Sequence, residues 1–243
     1  MPRRIQAKLR QTLAKERQEM SEAVSDGDQV VITGANRGIG LELARQLSTR
    51  GERVVALCRS ASDALRALPV DCIEGIDIRD LSGLPERLAG RRFKLLINNA
   101  GILRPNGLGE IDYSEVLEQF IVNAIGPLRL TELLLPQLVE GAKVAHITSR
   151  MGSIADNSSG GSYGYRMSKA ALNAAGVSLA HDLRPRKISV FLLHPGFVRT
   201  EMTGGRGLIN VDQAAEGLLE RIDTLGLEES GSFWHGQGEP LPW

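Results

Sequence analysis

Tyr165 and Lys169 stand four residues apart in Tyr165-Arg166-Met167-Ser168-Lys169. That spacing puts both on one side of a helix. An ammonium beside a phenol favours the phenolate and is expected to lower the Tyr165 pKa from its ordinary value of about 10. Such a phenol suits a general acid that donates and recovers a proton near neutrality. Tyr163 is a rival phenol, but Met167 stands four residues on and offers no ammonium. Thr148-Ser149 ends the run Val144–Thr148. If that run is a strand, Ser149 lies at the carboxyl edge of a sheet, where open α/β folds bind ligands. Its hydroxyl could hydrogen-bond a substrate carbonyl oxygen beside Tyr165.

A second chemical feature is the loop Thr33-Gly34-Ala35-Asn36-Arg37-Gly38-Ile39-Gly40, which follows the apolar run Val30-Val31-Ile32. Gly34 permits a tight turn, Gly38 lets the backbone approach a pyrophosphate, and Gly40 lets a helix pack close to a sheet. The helix start offers free N–H groups and partial positive charge to phosphates. Asn36, Arg37 and Ile39 complete this candidate cofactor cradle. The spacing is GxxxGxG rather than the common GxGxxG. About 20 residues on, an NAD enzyme usually places an acid for the ribose 2′-hydroxyl. Here Arg59 holds that position, with no acid before Asp63. A guanidinium forks onto a 2′-phosphate that a carboxylate would repel. Arg59, with Arg37 as a second contact, therefore predicts NADP(H) over NAD(H).

These residues need elements to carry them. Strands are expected at 30–32, 53–57, 72–76, 95–97, 144–148 and 188–193. Helical patterns lie at 41–50, 81–89, 112–140, 164–183 and 211–224. The alternation predicts an α/β fold, a parallel sheet covered by helices on both faces. No repeat or linker divides residues 29–243, which read as one domain.

Composition narrows the classes. The 243 residues carry 29 Lys+Arg against 29 Asp+Glu, whereas dedicated nucleic-acid binders show a basic excess. No apolar run approaches the roughly 20 residues of a membrane span. Two cysteines make no disulfide framework and point to a reducing, cytoplasmic setting. The four histidines show no zinc-ligand spacing, so no metal is expected. Residues 1–28 form a charged extension, basic then acidic, with Ile5, Leu9 and Leu13 every four residues. It reads as a helical or disordered extension, with organelle targeting or a membrane-surface arm as alternatives.

The set Thr33-Gly34-xxx-Gly38-x-Gly40, Asn98-Asn99-Ala100-Gly101, Asn123, Ser149, Tyr165-xxx-Lys169 and His194-Pro195-Gly196 resembles the short-chain dehydrogenase/reductases over residues 29–243. Ser149–Ile154, Tyr165–Asn173 and the ending Leu241-Pro242-Trp243 are similar to the C-factor-like subgroup and its carbonyl-reductase relatives. The resemblance implies a Rossmann-type, doubly wound sheet of about seven strands in the order 3-2-1-4-5-6-7. It assigns Asn99, Ala100 and Gly101 to the adenine-ribose side. It gives Asp77, with Ile78 beside it, to the adenine amino group. Pro195, Gly196, Val198 and Thr200 go to the nicotinamide. Lys169 would hold the nicotinamide ribose and tune Tyr165, and Asn123 would hold a water linking Lys169 to solvent.

The expected reaction is hydride transfer between NADPH and a small carbonyl, or the reverse alcohol oxidation. Ser149 and Tyr165 would steady the oxyanion, and Tyr165 would donate the proton. A signalling protein that binds the cofactor with little turnover is the second reading. A homodimer or homotetramer is compatible with the family. Substrate choice is expected to lie in Glu201–Asn210, where Gly204, Gly205 and Gly207 suggest mobility, and along the Gly/Ser stretch Asn157–Gly164.

Overall fold

The computed structural model describes residues 27–243. The targeting, membrane-arm and helix expectations for the extension lie outside the described residues, but for its last two. Of these, Asp28 is buried and accepts from the Arg92 guanidinium at 2.7 Å.

Seven parallel strands form one sheet among the described residues: β1 Gln29–Thr33, β2 Val54–Leu57, β3 Asp71–Ile73, β4 Phe93–Asn98, β5 Leu138–Ile147, β6 Ser189–His194 and β7 Ser232–His235. Their order is 3-2-1-4-5-6-7. Apolar runs without alternation fit a sheet covered on both faces, and the two sides of single strands do divide between two cores. Val30, Ile32 and Ala56 face a cluster with Leu43, Leu47, Leu218 and Ile222. These come from helices α1 (Gly38–Thr49) and, last of the helices in the chain, α7 (Val211–Thr224). Val31, Val55, Leu96 and Val144 face the opposite cluster with Leu130, Leu134 and Leu183. The short helices α2 (Asp63–Arg66) and α3 (Leu84–Arg87) fill the β2–β4 connections. β1 pairs with β2 on one side and β4 on the other. Connections diverge there, which opens a crevice at the carboxyl ends of these strands.

The expected helix over 112–140 is not continuous. It runs as α4 (Tyr113–Phe120), a π-helical turn (Ile121–Ile125) and α5 (Gly126–Leu134). The Gly126 N–H donates five residues back to the Ile121 carbonyl. Pro127 has no N–H, so it cannot make the i→i−4 bond to the Asn123 carbonyl. Pro136 cannot extend the helix, and Leu138 already belongs to β5, paired with Phe93. β7 has only four residues, too few for a clear signal in the sequence.

Two close approaches set the site-bearing elements. A Cβ on Gly40 would lie 2.3 Å from the Gly34 carbonyl oxygen and 2.4 Å from Asn99 Nδ2. A Cβ on Gly164 would lie 2.6 Å from Gln119 Nε2 and 3.0 Å from Val116 Cα, on α4. Gly164 is the second residue of α6 (Tyr163–Leu183), so its bareness brings Tyr165 in close to α4. Gly40→Ala is expected to destabilise the fold by about 1–3 kcal/mol, because backbone on one side gives no room to collapse. Urea unfolding checks this; an unchanged midpoint would show that the loop can shift without cost.

Candidate active site

Ser149 lies just beyond β5, where the ladder persists through the Thr148 N–H to the Leu193 carbonyl at 2.8 Å. Tyr165 and Lys169 lie one turn apart on α6, and all three side chains are buried. The Ser149 hydroxyl lies near enough to the Tyr165 phenol to favour its phenolate, and it accepts from the Met151 N–H at 3.1 Å. Lys169 Nζ is 5.8 Å from the centre of the Tyr165 ring and donates to the Ile147 carbonyl at 2.8 Å. Burial pushes the Tyr165 phenol up to about 12, with the Ser149 hydroxyl pulling the other way. Burial also pulls Lys169 down to about 8. The expectation that Lys169 lowers the Tyr165 pKa is therefore corrected. Loss of water around the phenolate outweighs an ammonium at that distance.

Asn123 occupies the π-helical turn and is fully buried. Its Oδ1 accepts from the Ile102 N–H at 2.8 Å. Its amide donates to the Ile102 carbonyl at 2.9 Å and to Ser168 Oγ at 3.0 Å. Ser168 in turn donates to the Tyr165 carbonyl at 2.8 Å. The side chain thus clamps the loop after β4 onto α6. Any relay through Asn123 rests on its backbone carbonyl, which Pro127 leaves without its helical donor.

The crevice between β1 and β4 is a cleft of about 340 Å³. Gly34, Asn36, Arg37, Gly38, Ile39, Arg59, Asp77, Ile78, Asn99, Ala100, Gly101, Tyr165, Lys169, Pro195 and Thr200 line it. Gly40 lies behind the loop against Asn99, and Asn123 sits behind Gly101, 3.2 Å from where a Cβ there would be. Gly34 and Gly38 have φ of +66° and +54°, a region that disfavours side chains. The Thr33 hydroxyl accepts from the N–H groups of Asn99 and Ala100, both at 3.0 Å. Asn99 Nδ2 donates to the Thr33 and Gly34 carbonyls. The α1 start has no side-chain cap and no acid in its first turn, so its N–H groups remain available to an anion. A loop turned by two positive-φ glycines, on an uncapped helix start, fits a dinucleotide pyrophosphate.

At the far end Arg37 is ion-paired with Glu201. Arg59 is paired with no carboxylate among the described residues. Asp77 is held bidentately by Arg79, which keeps its carboxyl below the usual range. An adenine amino group would share an oxygen already engaged by a guanidinium.

A second cavity of about 430 Å³ adjoins the cleft. Ile39, Thr148, Tyr165, Pro195, Thr200 and Met202 line both, while Ser149, Gly196 and Val198 line the second alone. The segment 201–210 folds back on residues 197–199 through the Leu208 N–H to Phe197 carbonyl and the Arg199 N–H to Ile209 carbonyl bonds. Gly207 serves close approach there, its Cβ position being 2.5 Å from the Arg199 nitrogen.

Several polar residues near the site went unassigned in the sequence. Fully buried His146 meets Asn98 Nδ2 at 3.2 Å through Nδ1. His194 meets His235 edge to face at 4.9 Å. Arg150 lies between Asp156 and Glu239. Adjacency to Ser149 is the only signal for Arg150; His194 stands in the His194-Pro195-Gly196 motif without a role of its own, and His146 and His235 carry no signal.

Residues 28–208 match the family model described as short chain dehydrogenase. A 1-hydroxy-2-glutathionyl-2-methyl-3-butene dehydrogenase of Rhodococcus sp. (strain AD45) is 41% identical over 223 residues, 88% of this chain and 99% of that one. The C-signal of Myxococcus xanthus is 48% identical over 155 residues, 61% of this chain and 92% of that one. An NADPH-bound carbonyl reductase from chicken fatty liver superposes with a TM-score of 0.81 at 30% identity, covering 89% of this chain and 99% of that one.

The buried histidines make acid stability a test of this arrangement. Burial holds both His146 and His194 down to about 3, helped by Lys169 at the first and by His235 and Arg150 at the second. Each is neutral in the fold, whereas the unfolded chain protonates near pH 6.5. Below that pH the unfolded state binds more protons, so stability falls as pH falls from about 6.5 toward 3. Each residue contributes a slope of about 1.4 kcal/mol per pH unit. Urea titrations from pH 6 to 4.5 are expected to lose one such increment in His146→Asn. An unaltered slope would mean that His146 is already charged in the fold.

Proposed function

The chain belongs to the short chain dehydrogenase family, and from that premise we propose that it interconverts a small aldehyde or ketone with its alcohol, using NADP(H). Enzymes of this family are oxidoreductases that use nicotinamide cofactors on small molecules. The observation that carries the finer reading is the placing of two hydroxyls, Ser149 and Tyr165, side by side where the two cavities meet.

The cofactor, when bound, supplies or accepts the hydride. The Gly34–Gly38 loop and the start of α1 would hold its pyrophosphate, and Arg59 its 2′-phosphate. Asn99, Ala100 and Gly101 would line the adenine-ribose side, and Lys169 would hold the nicotinamide ribose. The NADPH bound in the chicken relative supports the same choice.

On the substrate side, Ser149 and Tyr165 present two O–H groups to one carbonyl oxygen, where negative charge develops. A phenol held near 12 is fully protonated at pH 7, as a proton donor must be. Lys169, at about 8, changes charge close to neutrality and can restore that proton. The Asn123 carbonyl offers a water site leading away from Lys169. The C-signal likeness keeps the signalling reading as the second one.

An NADPH-oxidation screen over a carbonyl panel decides between them, since tight NADPH binding with no turnover on any carbonyl would favour signalling. Tyr165→Phe is expected to lower turnover by about a hundredfold or more while NADPH binding is retained; near-normal turnover would remove Tyr165 from the proton transfer. Wild type should show a higher kcat/KM with NADPH than with NADH. Arg59→Ala should shrink that ratio about tenfold, the worth of a lost charge-assisted bond. A ratio unchanged by the substitution would place the phosphate elsewhere.

A further inference from the structure

We infer that the second cavity holds an anion subsite built on Arg166, and that its substrates carry a carboxylate or similar anionic group apart from the carbonyl. The inference rests on the carbonyl–alcohol reading above and adds the substrate class.

Arg166 follows Tyr165 directly, in the first turn of α6. A cation is misplaced there, because the positive end of a helix dipole favours anions. The first turn also contains no acid to offset it. Local rules broken in this way are most often broken at functional sites. Arg166 lines the cavity together with Ser149 and Tyr165.

Its bonds define what it can still do. Nε donates to the Gly160 and Gly161 carbonyls at 3.3 and 3.1 Å. Nη2 donates to Ser159 Oγ at 2.8 Å and to the Gly160 carbonyl at 3.2 Å. All three acceptors are neutral. The side chain is paired with no carboxylate among the described residues. One edge of the fork is therefore committed and fixes the guanidinium plane, while the Nη1 donors have no protein acceptor among these bonds. A planar group held by one edge is pre-organised to take a carboxylate on the other.

Arg150 provides the contrast. It lines the same cavity, but lies between Asp156 and Glu239, with contacts of 3.2 and 2.6 Å. Asp156 is the one acidic side chain lining the cavity, and it is engaged by Arg150. His194 also lines the cavity and is neutral at pH 7. Asp156 and Glu239 are both turned to Arg150, so Arg166 is the guanidinium beside the reacting hydroxyls that has no carboxylate partner of its own among the described residues. A loop brace alone would need only neutral donors.

The test compares aldehyde acids with their methyl esters, for example 4-formylbenzoate and succinic semialdehyde, by NADPH oxidation with the full chain. The expected result is a kcat/KM ratio of about tenfold or more in favour of the acids, which falls with added salt. Arg166→Met should collapse that ratio toward one, and Arg166→Lys should restore part of it. The ratio is the readout because loosening of the 159–161 loop would affect acid and ester alike. No acid outperforming its ester in wild type, or a ratio unchanged in Arg166→Met, would overturn the subsite.

Calorimetry separates this from failure of the reductase reading. 4-(Hydroxymethyl)benzoate and its amide are titrated into protein saturated with NADP⁺. Tighter binding of the acid, lost in Arg166→Met, upholds the subsite even if no aldehyde turns over. Equal binding of acid and amide overturns it. Arg166→Gln, which also removes the charge, serves in place of Arg166→Met should the latter not fold.

Discussion

An ammonium out of water is costly unless polar groups replace its hydration, and the burial of Lys169 organises much of this molecule. Its Nζ takes the Ile147 carbonyl at the end of β5, which ties α6 to the sheet edge. A Cβ on Gly152 would lie 2.8 Å from the Lys169 carbonyl carbon, and one on Gly101 would lie 3.7 Å from Nζ. The turn at Gly152 thus closes on this lysine because it is bare there. Dehydration pulls Lys169 down to about 8, and its charge adds to the burial that holds His146 uncharged.

Around that lysine, two hydrogen-bonded clamps hold the loops of the site. Thr33 and Asn99 join the end of β1 to the loop after β4. Asn123, through Ile102 and Ser168, joins that loop to α6. Each clamp spans elements distant in the chain and satisfies buried polar groups that would otherwise be orphaned. Pro127 and the π-helical turn make the second clamp possible, since they let the helix shift its register where Asn123 turns inward.

Electrostatics then divide the two cavities. In the cleft, Arg37 pairs with Glu201 and Arg79 with Asp77, so Arg59 stands as the guanidinium without a carboxylate partner. In the adjoining cavity Arg150 is neutralised and Arg166 is not. Both unpaired cations sit where a bound small molecule would end, one beyond the nucleotide loop and one beyond the reacting hydroxyls.

Much of this was legible in the residues themselves. Apolar runs alternating with helical patterns determined a parallel sheet covered on both faces. The GxxxGxG loop and the four-residue step from Tyr165 to Lys169 marked the chemistry, because both are local spacings set by backbone geometry. The spacing suggests one helix over 112–140 because a period of 3.6 cannot register an inserted π turn, and because Leu138-Val139 can continue either pattern. The pKa of Tyr165 could not be read either. Spacing reveals the neighbouring ammonium, but desolvation depends on every chain segment that packs over the ring, and in the fold it prevails. For the same reason the sequence determined which cations exist near the site, while only tertiary structure decided which of them keep their charge unpaired. Glu201, Asp156 and Glu239 reach their arginines across loops, over separations of 6 to 164 residues.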